Sequence, residues 1–367
     1  MRIRAAVLEE FGQPLAVQEV DLAEPKAGEA LVRLVACGVC HTDLYTASGA
    51  DPSGYAPTVP GHEGAGIVER VGPGVTSVAP GDQVVTLFSP QCRECVHCLS
   101  DRTNLCLAIR EQQNQGFLPD GTTRLGRDGE AIRHFMGCST FAEYMVMPEI
   151  ALAKVSPEAP PEHACLFACG LSTGLGAAMN TAQVEPGSTC VVFGAGMVGL
   201  GAVAGCRLQG ADRIVSVDLS PGRLELAKGE GVTDTLVGGP DVVDEILELT
   251  DGFGADYTFE ATGNVAVMRQ AVESARMGWG LCTVAGVAGK GEVLEVVPRF
   301  LITGRRVAGS SFGGVKGRDQ VPELVELALA GEIDVAPFVS HRIGLDDVNR
   351  GFELMEAQDG IRSVIDF

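Results

Sequence analysis

The chain holds 367 residues, 46% of them hydrophobic and 20% charged, with a net charge of −21. This length exceeds what one hydrophobic core usually supports, so two domains are expected, and the apolar share excludes a disordered protein. The 27 Lys and Arg are scattered and form no basic stripe, which argues against nucleic acid or an anionic membrane surface as a partner.

The first residues, MRIRAAVLEEFGQP, contain no secretory apolar region. Twelve cysteines without such a signal are expected to serve as ligands or core residues in a reducing cytoplasm. Up to about residue 165, short apolar stretches (RAAVLEE, ALVRLVACG, GAGIVERVG, DQVVTLF, FAEYMVM) alternate with turns such as Val71-Gly72-Pro73-Gly74 and Pro80-Gly81-Asp82. That rhythm predicts a β-rich, barrel-like domain with long excursions. Within it, Cys37-Gly38-Val39-Cys40-His41-Thr42-Asp43 follows one predicted strand, and Gly61-His62-Glu63-Gly64 precedes another.

Next in the chain come Cys92, Cys95, Cys98 and Cys106, spaced C-x2-C-x2-C-x7-C. Four thiolates in so short a polar segment match a closed tetrahedral metal lobe, with zinc the commoner choice over iron–sulfur. Two local disulfides would close small strained loops and fit poorly.

Further on, Cys165 and Cys169-Gly170 precede Ser172-Thr173-Gly174. Taken singly, Cys40, His62 and Cys169 read as packed thiols and a turn histidine. Taken together, two Cys and one His leave a fourth tetrahedral position open for water or a substrate oxygen.

Residues 164–184 and 186–206 are free of charge and separated only by Glu185, a pattern that a window scan could take for membrane spans. The glycines at 187, 194, 196, 199, 201 and 205, with the Val-Val-Phe start, read instead as a buried strand, tight turn and closely packed helix. From about 187 to 300, strands and helices alternate, which predicts a doubly wound parallel sheet. Gly194-Ala195-Gly196-Met197-Val198-Gly199 follows the strand CVVF and opens a helix. Its glycines suit a sharp turn, a close approach of pyrophosphate and tight helix–strand packing, with Met197 and Val198 offering helix N-terminal N–H groups. Asp218 ends the next strand, RIVSVD, where a carboxylate accepts from a ribose diol and repels a 2′-phosphate, so NAD is favoured over NADP. Arg223 nearby is the residue type that accommodates a 2′-phosphate. From about 312 the chain returns to helix and short strand, and its ending, SVIDF, reads as an edge strand.

These motifs together resemble the zinc-dependent medium-chain alcohol dehydrogenases, most of all the class III branch of glutathione-dependent formaldehyde dehydrogenases. The resemblance runs from about residue 5 to the C-terminus. It is carried by CHTD at 40–43, GHEGAGIVE at 61–69, the four-Cys lobe, NLC at 104–106, PDGTTR at 119–124, FMGCSTFAEY at 135–144, CGLSTG at 169–174 and SFGG at 311–314. It implies an α/β protein in which a GroES-like β-rich catalytic domain (1–170, zinc lobe about 90–108) joins a Rossmann doubly wound parallel-sheet coenzyme domain (171–311). Residues 312–367 would then return to the catalytic domain.

The resemblance further implies two zinc ions per chain. The catalytic one would lie on Cys40, His62 and Cys169, with Glu63 able to approach it and Asp43 orienting His62; the structural one would lie on Cys92, Cys95, Cys98 and Cys106. Thr42 would take the alcohol proton, with Tyr45 where some relatives place a relay His. His41 and Arg362 would contact the pyrophosphate, while Thr173, Thr262 and Val287 would border the nicotinamide. Cys37, Cys138, Cys165, Cys190, Cys206 and Cys282 would pack. The implied activity is hydride transfer between NAD and a primary alcohol/aldehyde pair, aromatic or medium-length ones included. A thiol-adduct dehydrogenase and a non-catalytic relative are the alternatives. The branch holds its glutathione adduct with charged groups; Asp51 and Arg110 match them, whereas Ser53 and Met277 stand where it carries a Glu and commonly a Lys. A small-molecule substrate and a homodimer are the expected partners, with a tetramer as the other oligomer.

Overall fold

The computed structural model describes residues 1–367 apart from Pro52, Ile109 and the side chain of Thr103. The chain divides into one unit made of Met1–Cys169 and Lys316–Phe367 and a second made of Gly170–Val315.

The first unit is built on two sheets. In the smaller, the strands run Arg2–Val7, Ala16–Leu22, Leu125–Arg127, Glu130–His134, Thr58–Val59. The larger runs Leu152–Lys154, Gln83–Thr86, Glu63–Val71, Glu29–Gly38, Arg362–Asp366, Val339–Gly344, and Tyr144–Pro148 also pairs with Glu29–Gly38. Glu29–Gly38 is the spine of this sheet. Its burial is nearly continuous because neighbours cover both edges and both faces, and so its sequence, EALVRLVACG, does not alternate. Register shifts at Leu31/Val32 and Leu34/Ala36 bend the pairing with Glu63–Val71 and bring Gly38 opposite Glu63.

The segment SVIDF is not an edge strand. Arg362–Asp366 lies between Glu29–Gly38 and Val339–Gly344, with residues 362–365 all buried. An interior strand of four buried residues and an edge strand of the same length look alike in sequence, because only its neighbours distinguish them.

The second unit is a six-stranded, wholly parallel sheet. Its order is Asp234–Val237, Arg213–Asp218, Thr189–Phe193, Tyr257–Glu260, Leu281–Val284, Arg306–Gly309, that is 3-2-1-4-5-6 in chain order. Alternation along Thr189–Phe193 sends Cys190 and Val192 to a core shared with Val203 and Cys206 of the helix Met197–Leu208. It sends Val191 and Phe193 to a core shared with Ile246 and Val272 on the opposite face. The charge-free runs at 164–206 are therefore explained by burial on both faces, and no described helix is long and apolar enough to cross a membrane. The strand order reverses between Thr189–Phe193 and Tyr257–Glu260, and doubly wound sheets bind ligands in the crevice outside the strand ends at such a switch point.

Candidate metal centres and dinucleotide site

Cys40 caps the helix His41–Ala47, where its backbone N–H donates to Asp43 Oδ2 at 2.9 Å. The other oxygen of Asp43 accepts from Gly61 N at 3.1 Å and lies 2.9 Å from His62 Nδ1. Asp43 and His62 are fully buried. With Nδ1 donating to a carboxylate, Nε2 carries the lone pair, and this buried atom has no hydrogen-bond partner among the described residues. The rings of Phe88 and Phe135 stand at steep angles to the imidazole, each with its centroid 5.9 Å away, so the ring cannot turn freely.

Cys169 ends the helical turn Cys165–Ala168 in a non-helical conformation (φ −147°, ψ −85°). One ligand atom each from Cys40, His62, Glu63 and Cys169 lies within 4.8 Å of all the others. The hydroxyl of Thr42 is 3.7 Å from Cys40 Sγ.

Glu63 is buried behind this set. Its Oε1 accepts from Arg362 Nη2 at 3.1 Å, and Arg362 Nη1 donates to the Val39 carbonyl at 2.8 Å. Oε2 has no hydrogen-bond partner among the described residues and occupies space that a side chain at position 38 would take, since a Cβ there would come within 2.2 Å of it. Burial pushes the Glu63 carboxyl up to about 8 in spite of Arg362. The thiols of Cys40 and Cys169 lie against each other. Their mutual hydrogen bond lowers Cys40, helped against burial by Arg362 and His62, and raises Cys169. Two sulfurs, an unpartnered imidazole nitrogen and a nearby carboxylate form a donor set suited to zinc.

The second cluster is Cys92, Cys95, Cys98 and Cys106, again within 4.8 Å of one another. The Cys92–Cys98 and Cys95–Cys106 sulfurs are each 3.9 Å apart. Tetrahedral zinc with bonds of about 2.3 Å sets its sulfurs ~3.8 Å apart, and a disulfide would bring them to ~2 Å. Backbone N–H groups of Cys95 (3.3 Å) and Glu94 (3.5 Å) point at Cys92 Sγ, that of Cys92 at Cys106 Sγ and that of Leu107 at Cys95 Sγ. This is the pattern that stabilises thiolates. All twelve cysteines are unbridged, and Cys37, Cys138, Cys165, Cys190, Cys206 and Cys282 are buried.

In the second unit Gly194 turns with φ +97°, and a Cβ on Gly199 would lie 1.7 Å from the Gly194 carbonyl. A Cβ on Gly196 would meet nothing within 4 Å, so the strand–helix turn holds an open cradle in front of the uncapped N-terminus of Met197–Leu208. Met197 is buried at that terminus, with Val198 next to it. Asp218 ends its strand as expected, and its carboxylate accepts from Ala195 N at 2.7 Å and Ser220 N at 2.8 Å, which ties the strand end to the glycine turn. Arg223 lies in the first turn of the helix Pro221–Gly229. Thr173 is buried in the helix Gly170–Gly176, and Val287 is 78% exposed.

Two residues expected at the pyrophosphate, His41 and Arg362, belong to the first unit. His41 is exposed at the first helical position, while the Arg362 guanidinium is buried on Glu63 and Val39. Glu260 carries no expectation from the sequence, yet it is a fully buried carboxylate at a strand end. The only signal for it is an acid closing the apolar strand YTFE before Thr262-Gly263.

The family model for the alcohol dehydrogenase GroES-like domain matches residues 26–157, and that for a zinc-binding dehydrogenase matches residues 197–330. The chain belongs to the zinc-dependent alcohol dehydrogenase family. It is 50% identical over 369 residues to the S-(hydroxymethyl)glutathione dehydrogenase of Escherichia coli O1:K1 / APEC, covering 100% of both chains. It is 51% identical to the alcohol dehydrogenase class-3 of Myxine glutinosa, over 99% of this chain and 97% of that one. Among solved structures, the benzyl alcohol dehydrogenase of Acinetobacter calcoaceticus superposes with a TM-score of 0.94 at 31% identity, over 100% of this chain and 99% of that one. As a member of this family, the chain is an oxidoreductase whose cofactors are zinc and a nicotinamide dinucleotide.

Proposed function

We propose that the chain transfers a hydride between primary alcohols, aromatic or medium-length ones included, and NAD. The observation that supports this most is the meeting of Cys40, His62 and Cys169 with a buried, unpartnered His62 Nε2 in a member of this family. Cys40, His62 and Cys169 hold the catalytic zinc, Glu63 stands behind it, and the four-cysteine lobe holds the structural zinc. When bound, zinc supplies Lewis-acid polarisation of an oxygen and NAD supplies the hydride acceptor. Asp43 fixes the His62 tautomer, and the Thr42 hydroxyl takes the substrate's proton. Gly194, Gly196 and Gly199 with Met197 and Val198 receive the pyrophosphate. Asp218 takes the adenosine ribose and Arg223 lies beside it, while Thr173, Thr262 and Val287 border the nicotinamide. Steady-state rates with NAD and NADP over a panel of alcohols test the reading; a preference for NADP would overturn the role of Asp218.

A second reading is favoured by the relatives' names: oxidation of S-(hydroxymethyl)glutathione or another thiol adduct. Against it stand Ser53 and Met277, where the branch carries a Glu and commonly a Lys for an adduct's charges. One oxygen of Asp51 accepts from Ser53 N (2.8 Å) and Ser53 Oγ (2.7 Å), and the other from Thr46 Oγ1 (3.0 Å), so the loop holds this carboxylate in place with its charge intact. Losing a charge partner costs on the order of 1–3 kcal/mol, or roughly ten- to a hundredfold in affinity. Formaldehyde oxidation measured with and without glutathione decides between the two, and a strong rise with the thiol favours the adduct. A non-catalytic role would accompany the loss of a ligand or of Thr42; all are present, and a zinc count near one per chain would revive it.

A homodimer is supported by the edge strand Arg306–Gly309, one side of which pairs with nothing among the described strands, and by exposed Leu301, Ile302 and Val307 beside it. Sedimentation at micromolar concentration tests it. The unbridged cysteines support a cytoplasmic location, which cell fractionation tests.

A further inference from the structure

Glu260 closes the strand Tyr257–Glu260, which lies between Thr189–Phe193, the strand leading into the glycine turn, and Leu281–Val284. It thus sits at the switch point, and it is fully buried. Its carboxylate folds forward over the strand end. Oε1 accepts from Thr262 N (2.7 Å), Thr262 Oγ1 (2.5 Å) and Gly263 N (2.9 Å). Oε2 is buried without a hydrogen-bond partner among the described residues, against the backbone of Gly286.

The surrounding backbone is packed to a degree that excludes side chains. A Cβ on Gly286 would lie 2.5 Å from Glu260 Oε2 and 2.2 Å from Gly263 N. Gly263 turns with φ +79°, and a Cβ there would lie 2.4 Å from the Val287 carbonyl. A Cβ on Gly194 of the fingerprint turn would lie 3.0 Å from Thr262 Cγ2. Three segments, 194, 261–263 and 285–287, therefore form one layer across the ends of three adjacent strands, and a single carboxylate pins the middle one. An apolar residue at 260 would leave the N–H groups of Thr262 and Gly263 unpaired, so burying an acid here has a local purpose.

We propose that Glu260 is a positioning residue for the ring end of the dinucleotide. It holds the backbone of 262–263, and through Gly263 that of 286–287, in the arrangement that receives the nicotinamide carboxamide. The adenosine end, cradled by the glycine turn and Asp218, does not depend on it.

The inference rests on the NAD-binding reading, and titration with NADH and with ADP-ribose, which lacks the nicotinamide, separates the two. Binding is followed by calorimetry and by the NADH emission shift. For Glu260→Ala the expected result is about a tenfold or larger loss in NADH affinity with a diminished emission shift, while ADP-ribose stays within twofold of the native protein. Glu260→Gln, which keeps an acceptor for Thr262 and Gly263, recovers most of the loss. Thr262→Ala, which removes from an exposed position the hydroxyl that donates to Glu260 and accepts from Asn264 N (3.1 Å), keeps the proposal testable if the alanine variant at 260 does not fold, and is expected to weaken NADH severalfold and spare ADP-ribose. Equal weakening of both ligands, or unchanged NADH binding in Glu260→Ala and Thr262→Ala alike with only a lower melting temperature, would overturn the proposal. Failure of the native protein to bind ADP-ribose would instead overturn the NAD reading.

Discussion

Replacing Arg362 with Met tests whether the ion pair behind the metal ligands is structural in the sense the geometry requires. The Arg362 and Glu63 side chains are 5% and 0% exposed, so water screens neither charge. Removing the guanidinium strips Glu63 Oε1 of its partner, leaves both carboxylate oxygens unsatisfied, and frees the Val39 carbonyl at the end of the central strand. An uncompensated buried charge costs about 3–5 kcal/mol, and an orphaned carbonyl about 1–3 kcal/mol where the two losses do not overlap. We expect Arg362→Met to lower unfolding free energy by about 4 kcal/mol, a large share of the 5–15 kcal/mol typical of domains. Glu63→Gln removes the charge that makes the loss so large, so the double variant is expected to recover about 2 kcal/mol. The assay is urea denaturation of all four proteins at one pH near 9, above the value of about 8 for Glu63 so that its carboxyl is ionised, with bound zinc measured in each. A cost below 1 kcal/mol for Arg362→Met, or no coupling with Glu63→Gln, would refute the reasoning.

Thr42→Val is expected to lower kcat by about 10²–10⁴, the range for losing a positioned proton acceptor, with NADH affinity within threefold and Thr42→Ser near native; stopped-flow hydride transfer checks it. Cys98→Ser is expected to reduce zinc from two ions per chain to one by elemental analysis and to lower the melting temperature, because binding at such a lobe is folding free energy. His134 supplies a pH dependence independent of the metal ligands. Burial pushes its imidazole down to about 3, with Arg124 adding to the effect, and Nε2 accepts from Arg124 N at 3.0 Å. Since the folded value lies below the unfolded one near 6.5, its stabilisation is complete above pH 6.5 and declines as pH falls towards 3. Between pH 7 and 5 it should remove about 2 kcal/mol, a loss that His134→Gln escapes in denaturation curves at both pH values.

Legibility in the sequence followed the distance over which each feature is built. The four-cysteine lobe is local, so spacing alone picks out four thiols that the fold brings together. The glycine turn and Asp218 are also local, because one βαβ unit supplies them, and a doubly wound parallel sheet follows from the alternation of strands and helices, whereas its order 3-2-1-4-5-6 does not. The Cys40–His62–Cys169 set is different. Its convergence depends on the central sheet and on the turn before Gly170, and only the family resemblance carried it. Arg362 in its buried contact with Glu63, the interior position of its strand and the carboxylate of Glu260 all depend on neighbours far along the chain. A period-2 pattern records that a residue is buried without recording which residue lies opposite.

The strand Arg362–Asp366 has a consequence for biosynthesis. On a ribosome, Cys40, Glu63 and Cys169 emerge long before the guanidinium that neutralises the carboxylate, and the whole nucleotide-binding unit is translated in the interval. Until residues 362–366 leave the exit tunnel, the 36–38 end of Glu29–Gly38 lacks a partner on one edge and Glu63 has no counter-ion. The unit that holds the metal ligands therefore matures last, although most of its chain is made first.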